Sequence, residues 1–289
     1  MNYATIPGIN FSTLKHMRRS PLHYRHACEN AREDSDTFRL GRLTHTLVLE
    51  PERVAREYVV WDMDAAERAL ASMPAKKKPP TLTDKRRGKI WDAFEAAHAG
   101  LTIVTAEQMR DAQAMAAAVL RVWTPPANCE VTMQWIDHAT GLACKGRLDA
   151  VDDEWVTEIK TTYDAASSAM SRSLARYDYH CQLAHYIRGA MACGLTGPNV
   201  RARIIAVESS APYDVAIYEV DDEAMMAGEE EVVRLLRRVR ECTAEGRWPG
   251  RYTEPQVLSL PGWMRDEGED DIADLGLVSG STDNEETDE

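Results

Sequence analysis

The chain has no pair of cysteines spaced Cys-x-x-Cys. Its six cysteines (Cys28, Cys129, Cys144, Cys181, Cys193 and Cys242) are scattered, so neither a structural zinc site nor a thioredoxin-like redox pair is indicated. No apolar run reaches membrane-spanning length. Met1-Asn2-Tyr3-Ala4-Thr5 is not the basic-then-apolar opening of a secretory signal. These absences predict a soluble, reduced, cytoplasmic protein with no membrane partner. No internal repeat divides the sequence.

Positive charge is scarce as well. Lys and Arg number 34 against 47 Asp and Glu, a formal net charge of −13, which on its face argues against a nucleic-acid partner. The imbalance is local, however. Eleven acids and no Lys or Arg lie between Asp266 and Glu289, and taking eleven negative charges from −13 leaves −2 for residues 1–265. Residues 263–289 therefore read as an acidic, disordered tail. A DNA enzyme with such a body must concentrate its positive charge, and one stretch does. From Lys76 to Lys89 there are seven cations (Lys76, Lys77, Lys78, Lys85, Arg86, Arg87 and Lys89) and one acid. The bland reading of such a run is a solvated loop. The alternative is a grip on a DNA backbone, where phosphate neutralisation dominates affinity.

What the chain has in quantity is apolar residues, 44%, enough for a sizeable core. Residues 10–50 read as helical, with Ser12 as N-cap and Leu40, Leu43, Leu47 and Val48 at helical spacing. His45 shares an adjoining face with Gly41, where another backbone or a phosphate could come close. Helices over 62–72 and 89–99 flank the basic loop. Residues 105–122 form an alanine- and methionine-rich helix that Thr124-Pro125-Pro126 ends. Then the period changes to two. Residues 130–138, 143–151 and 155–161 alternate and are joined by turns at Ala139-Thr140-Gly141 and Asp152-Asp153, a three-stranded meander. Helices at about 164–175 and 179–193 follow, then strands at 200–207 and 214–220, a charged helix over 221–245, and tail from Gly262. The expected organisation is a single domain over 1–262, helical to about 125 and with an α/β core from 126.

Within the meander, Gly146-Arg147-Leu148-Asp149 is followed nine residues after the aspartate by Glu158-Ile159-Lys160. Strand alternation sends Glu158 and Lys160 to one side and Ile159 to the other. With the Asp149 strand alongside, two carboxylates and an ammonium converge. Hard oxygen ligands suit Mg²⁺, which takes one or two carboxylates and fills its shell with water and substrate phosphate. A lysine beside such an ion can position an attacking water, which is the chemistry of phosphodiester cleavage. Farther on, Gln182 and Tyr186 are four apart and share a helix face. Their amide and phenol could orient the lysine, a water or a phosphate, or could be a polar pair at a helix boundary. Arg147 lies near the site, either for a phosphate or to pair with an acid.

The acid, then Glu-x-Lys on paired strands, resembles the signature of the PD-(D/E)XK nucleases. The segment from Gly41 to Pro51 resembles the upstream histidine motif of the RecE and RecB type, and that from Tyr179 to Tyr186 their downstream Gln-x-x-x-Tyr motif. The order His45, Asp149, Glu158, Lys160, Gln182, Tyr186 also agrees, as do Asn10 to Lys15, Ser20 to Arg25 and Trp248-Pro249-Gly250. Over roughly residues 5–255 the chain resembles the RecE-like phage and prophage exonuclease domain.

That resemblance implies an αβββαβ core, a mixed sheet flanked by helices, with an added N-terminal helical region. It implies metal ligands at Asp149, Glu158, the backbone of Ile159, His45 and, where the family often has an acid, Glu130. It implies Lys160 as the catalytic lysine, with Gln182 and Tyr186 beside it; the candidate DNA contacts, Arg42, Arg147 and the basic loop, come from the charge pattern. The implied cofactor is Mg²⁺, with Mn²⁺ as substitute. Iron–sulfur branches of the superfamily hold their cluster on cysteines, and nothing here could hold one. The implied activity is degradation, 5′→3′, of one strand at double-stranded DNA ends, by a ring-shaped homo-oligomer working with a single-strand annealing protein in a bacterial host. Two alternatives stay open: a structure-specific or restriction-type endonuclease using the same site, and a non-catalytic DNA-end-binding module.

Overall fold

The computed structural model describes residues 3–30, 35–74 and 79–261. Lys76, Lys77, Lys78 and the acidic tail over 263–289 lie outside the described residues.

The N-terminal region is helical but segmented. It comprises α1 (Phe11–Leu14), α2 (Pro21–Glu29), α3 (Asp36–Leu49) and α4 (Val54–Glu57). Ser12 is not the cap of α1. Asn10 is, its Oδ1 accepting the Thr13 N–H at 2.9 Å, while Ser12 donates its hydroxyl to the same oxygen at 2.8 Å. The amide sits one position before the first helical residue, where a side-chain acceptor reaches the third N–H. Ser20 and Ser35 cap α2 and α3 in the same way, and Pro21 occupies the first position of α2, where no N–H is needed.

Two short strands were not expected. β1 (Tyr58–Trp61) and β2 (Thr102–Thr105) pair in parallel. Between them run α5 (Met63–Ala71) and α6 (Lys89–Ala97), the helices foreseen around the basic loop. Trp61, Ala65, Ala66, Ala69, Ile90 and Phe94 form the core of this region. Trp61 Nε1 donates to the Asp84 carbonyl at 2.7 Å, fastening the second half of the basic loop. α7 (Ala106–Val122) opens on a capping box in which Thr105 and Gln108 satisfy each other's backbone N–H.

The main sheet has order β3-β4-β5-β6-β7. The meander β3 (Asn128–Ile136), β4 (Ala143–Val151) and β5 (Trp155–Thr162) is antiparallel. α8 (Ser167–Arg176) and α9 (Tyr179–Ala192) cross over to β6 (Arg201–Glu208), parallel to β5, and β7 (Val215–Val220) closes the edge antiparallel. α10 (Asp222–Glu245) follows, capped by Asp221. Each face of the sheet has its own core. On one, Val48 of α3 and Met115 and Val119 of α7 cover Ala150, Ile159, Ile205 and Val207. On the other, Leu183 of α9 and Leu235 and Leu236 of α10 cover Leu148, Val156, Ile204 and Ala206. This is the mixed α/β sandwich that the sequence led us to expect. Met1–Arg251 make one compact unit and Tyr252–Glu289 a second. Of the second, residues 252–261 are described and contain no helix or strand.

Candidate active site

The site begins where two strands part. β4 and β5 pair only at Ala150↔Thr157 and Val151↔Val156. One residue farther, at Asp149 and Glu158, the ladder stops. Asp149 Oδ2 accepts the Ile159 N–H at 2.7 Å, so a carboxylate stands in for the missing strand carbonyl and keeps that buried N–H from being orphaned. The other neighbour opens at the same level. β3 pairs with β4 at Cys129↔Ala150 and Val131↔Leu148, but Glu130, opposite Asp149, has φ +51°. A glutamate in the left-handed region costs energy, and such residues cluster at functional sites. The pleat of β4 slips there too. Leu148 packs toward α9 and α10 while Ala150, two residues on, packs toward α3 and α7. Asp149 thus lies in a gap between three strands.

Side chains from five elements, α3, β3, β4, β5 and α9, meet at that gap. α3 supplies His45, whose Nδ1 is 3.4 Å from Asp149 Oδ1. Ligand atoms of His45, Glu130 and Asp149 all lie within 4.8 Å of one another. From β5, Glu158 Oε1 accepts from Lys160 Nζ at 2.7 Å and from Gln182 Nε2 at 2.7 Å. Lys160 Nζ also donates to Gln182 Oε1 at 3.1 Å, and Gln182 Nε2 donates to Tyr186 Oη at 3.1 Å. The four-residue spacing on α9 therefore does put amide and phenol side by side, aimed at the lysine. Gly146 makes room for the phenol: a Cβ there would sit 3.2 Å from the Tyr186 ring. A Cβ at Gly41 would meet only the Thr161 Oγ1, at ordinary contact distance, and no backbone of another element. Ile159 turns its fully buried side chain to the opposite face, and only its backbone belongs to the site.

The charges are tightly interlocked. Burial would raise the Asp149 carboxyl, but His45 and Lys160 outweigh it and hold it below its ordinary value. Glu158 goes the other way: burial, then the Asp149 charge, push it up to about 7 despite Lys160. Burial works against the charged forms of His45 and Lys160, yet the carboxylates raise both. Glu130 is raised, by burial first, although Arg147 counters.

This donor set fits a divalent cation. Three side chains converge on one point, two of them carboxylates, and Glu158 Oε2 is buried without a hydrogen-bond partner. A buried carboxylate oxygen left unpaired is costly, and a hard ion such as Mg²⁺ or Mn²⁺ would satisfy it. Glu158 stands outside the three-donor cluster; its other oxygen is taken by Lys160 and Gln182.

The expected DNA contacts are scattered. Arg147 Nε pairs with Glu130 Oε2 at 2.9 Å. Arg86 is tied to Asp36 at 3.1 Å and to Gln108 Oε1 at 2.7 Å, so it joins the loop to α3 and α7. Lys85, Arg87 and Arg42 are exposed, Arg42 one helical turn before His45. Two tyrosines were missed. Lys160 Nζ lies 4.7 Å over the Tyr179 ring, a neighbour that its spacing, three before Gln182 on α9, could have indicated. Tyr3 lies under both Lys145 and Arg147, at 4.8 and 5.7 Å, and no local pattern announces it. His185, read as structural, is fully buried beside the Trp135 ring.

Residues 10–259 match the model of a family described as "PDDEXK-like domain of unknown function (DUF3799)". No curated protein matches the chain. Among solved structures, the chain is similar to a protein of Eubacterium rectale described as "Putative exonuclease", with 13% identity, 94% of each chain covered and a TM-score of 0.53. At that identity the likeness is one of fold.

Proposed function

Because the chain belongs to this PDDEXK-like family, we propose that it is a divalent-metal-dependent nuclease, and within that class an exonuclease that degrades one strand of linear duplex DNA. The observation that carries the proposal is the cluster itself. Six residues from α3, β4, β5 and α9, far apart in sequence, meet in the gap between β4 and β5. Asp149, Glu130, His45 and Glu158 would hold the ion, which when bound supplies Lewis-acid polarisation of the phosphoryl oxygens and offsets the charge of the transition state. Lys160 has three N–H donors. Two are committed to Glu158 Oε1 and Gln182 Oε1, so the third has a fixed direction in which to hold a water for attack. Tyr186 holds Gln182 and so, indirectly, the lysine. Exonuclease action is supported by the RecE resemblance and by the exonuclease description of the E. rectale protein that shares the fold. Polarity 5′→3′, a ring-shaped oligomer, an annealing partner and a phage origin are supported by the RecE resemblance alone. Phosphate contacts would come from Arg42, Arg147, Lys85, Arg87 and the lysines at 76–78.

The test is a time course on linear duplex labelled at either the 5′ or the 3′ end, with Mg²⁺, against a closed circular duplex. Mononucleotides released only from linear DNA, lost with chelator and in Asp149→Asn, are the expected result. Nicking of circles would replace this reading by an endonuclease. Binding of ends without any release would reduce the chain to a binding module.

A further inference from the structure

α8 and α9 do not merge into one helix. Between them Asp178 adopts φ +60°, ψ +38°, and its side chain does not cap α9. It pairs instead with Arg18, which also pairs with Glu231 of α10 at 2.9 Å. The break has a geometric result. On a continuous helix, positions two apart point nearly opposite ways. Here the rings of Tyr177 and Tyr179 lie side by side, centroids 5.6 Å apart and 31° from parallel. Tyr179 is the ring beneath Lys160 Nζ. Tyr177 is 47% exposed, and the Arg176 guanidinium lies 5.6 Å from its centroid. A further ring, Tyr163, is 88% exposed three residues past Lys160, about 10 Å along the chain at roughly 3.3 Å per residue.

We infer that Tyr177 and Tyr179 form a stacking platform for unpaired bases of the DNA strand at the catalytic pocket, with Arg176 beside it for the backbone. The inference rests on the proposed nuclease activity and names the substrate form at that site: a frayed or single-stranded end, not an intact duplex edge. Each element has a reason. An aromatic ring accepts any base, because every base has a π-face, which suits an enzyme that must pass all sequences. A guanidinium over the same ring can meet a phosphate without leaving the aromatic face. The left-handed Asp178, pinned by Arg18, holds the platform against the lysine instead of letting it swing with a loop.

The experiment is equilibrium binding by full-length Asp149→Asn protein to one duplex in two forms, blunt or with a short single-stranded overhang carrying 2-aminopurine. The overhang form should bind more tightly and its 2-aminopurine fluorescence should fall on binding. Tyr177→Ala should weaken overhang binding by about tenfold or more, abolish the quench and leave blunt binding unchanged, while Tyr177→Trp restores both. Equal binding of the overhang by wild-type and Tyr177→Ala platforms, or an equal loss on blunt and overhang DNA, would overturn the inference while leaving the nuclease reading intact. Failure of the parent protein to bind either form would overturn both.

Discussion

At the level of single residues the site is a balance of charges. Lys160 offsets Glu158 directly and Asp149 at longer range, so it has an electrostatic role beside the chemical one proposed for it. Lys160→Ala should cut hydrolysis by about 100-fold or more, the scale on which misplacing a reacting group slows a reaction. DNA affinity should change little. An equal loss of binding would mark the lysine as a phosphate contact only. His185 offers a prediction away from the chemistry. Burial pushes its pKa down to about 4, so it is neutral in the fold at pH values where the unfolded chain binds a proton. The sign follows. Above about pH 6.5 both states are neutral and nothing changes. As pH falls from 6.5 toward 4 only the unfolded state gains the proton, and stability drops by roughly 3 kcal/mol. Urea unfolding of His185→Phe should show a shallower decline over that window than wild type; identical declines would mean that the imidazole is not held neutral.

At the level of elements, what was legible followed from period and spacing. The meander showed because alternation over nine residues has no helical counterpart, and α9 showed because Leu183, Ile187 and the Gln182–Tyr186 pair share a period. β1 and β2 did not show. Each is four residues long and runs straight into the N-cap of a helix, Asp62 just after β1 and Thr105 at the end of β2, so the helical pattern dominated the window. The cap at Asn10 was missed for a related reason: Ser12 is also a capping residue, and only the backbone geometry at position 10 decides between them. The positive φ of Glu130 and Asp178 could not be read at all, since both are set by what packs around them. Helix packing gives a test at this scale. Gly228 of α10 sits against α9 so closely that a Cβ would lie 2.6 Å from the His180 carbonyl oxygen. That neighbour is backbone and cannot rotate away. Gly228→Ala should therefore destabilise by roughly 1–3 kcal/mol despite alanine's better helix propensity. Stability equal to or above wild type would show that the helices separate without penalty.

At the level of the whole molecule, charge sets what the protein can hold. Without a cation, the site concentrates carboxylates inside a chain whose net charge is already −13. Mn²⁺ at about 100 times its dissociation constant should raise stability by roughly 2.7 kcal/mol, and Asp149→Asn should lose most of that gain in a thermal melt. A DNA substrate would face the same negative body, so the proposed grip would have to come from few cations. Of the basic loop's described members, Arg86 is already committed to Asp36 and Gln108, whereas Lys85 and Arg87 are exposed on either side of it. The loop is anchored by the Trp61–Asp84 hydrogen bond, so those side chains project from a fixed base. Neutralising Lys85 and Arg87 together should take about 1.8 units from the slope of log K against log salt, roughly 0.9 for each lost phosphate contact on duplex DNA. Single-turnover cleavage on saturating DNA should hold, because neither residue is among the groups that meet around Asp149. Arg86→Gln should leave the slope as it is and instead loosen the start of α3. A double variant with the wild-type slope would take Lys85 and Arg87 out of the DNA track, leaving Arg42, Arg147 and the lysines at 76–78 as the remaining candidates.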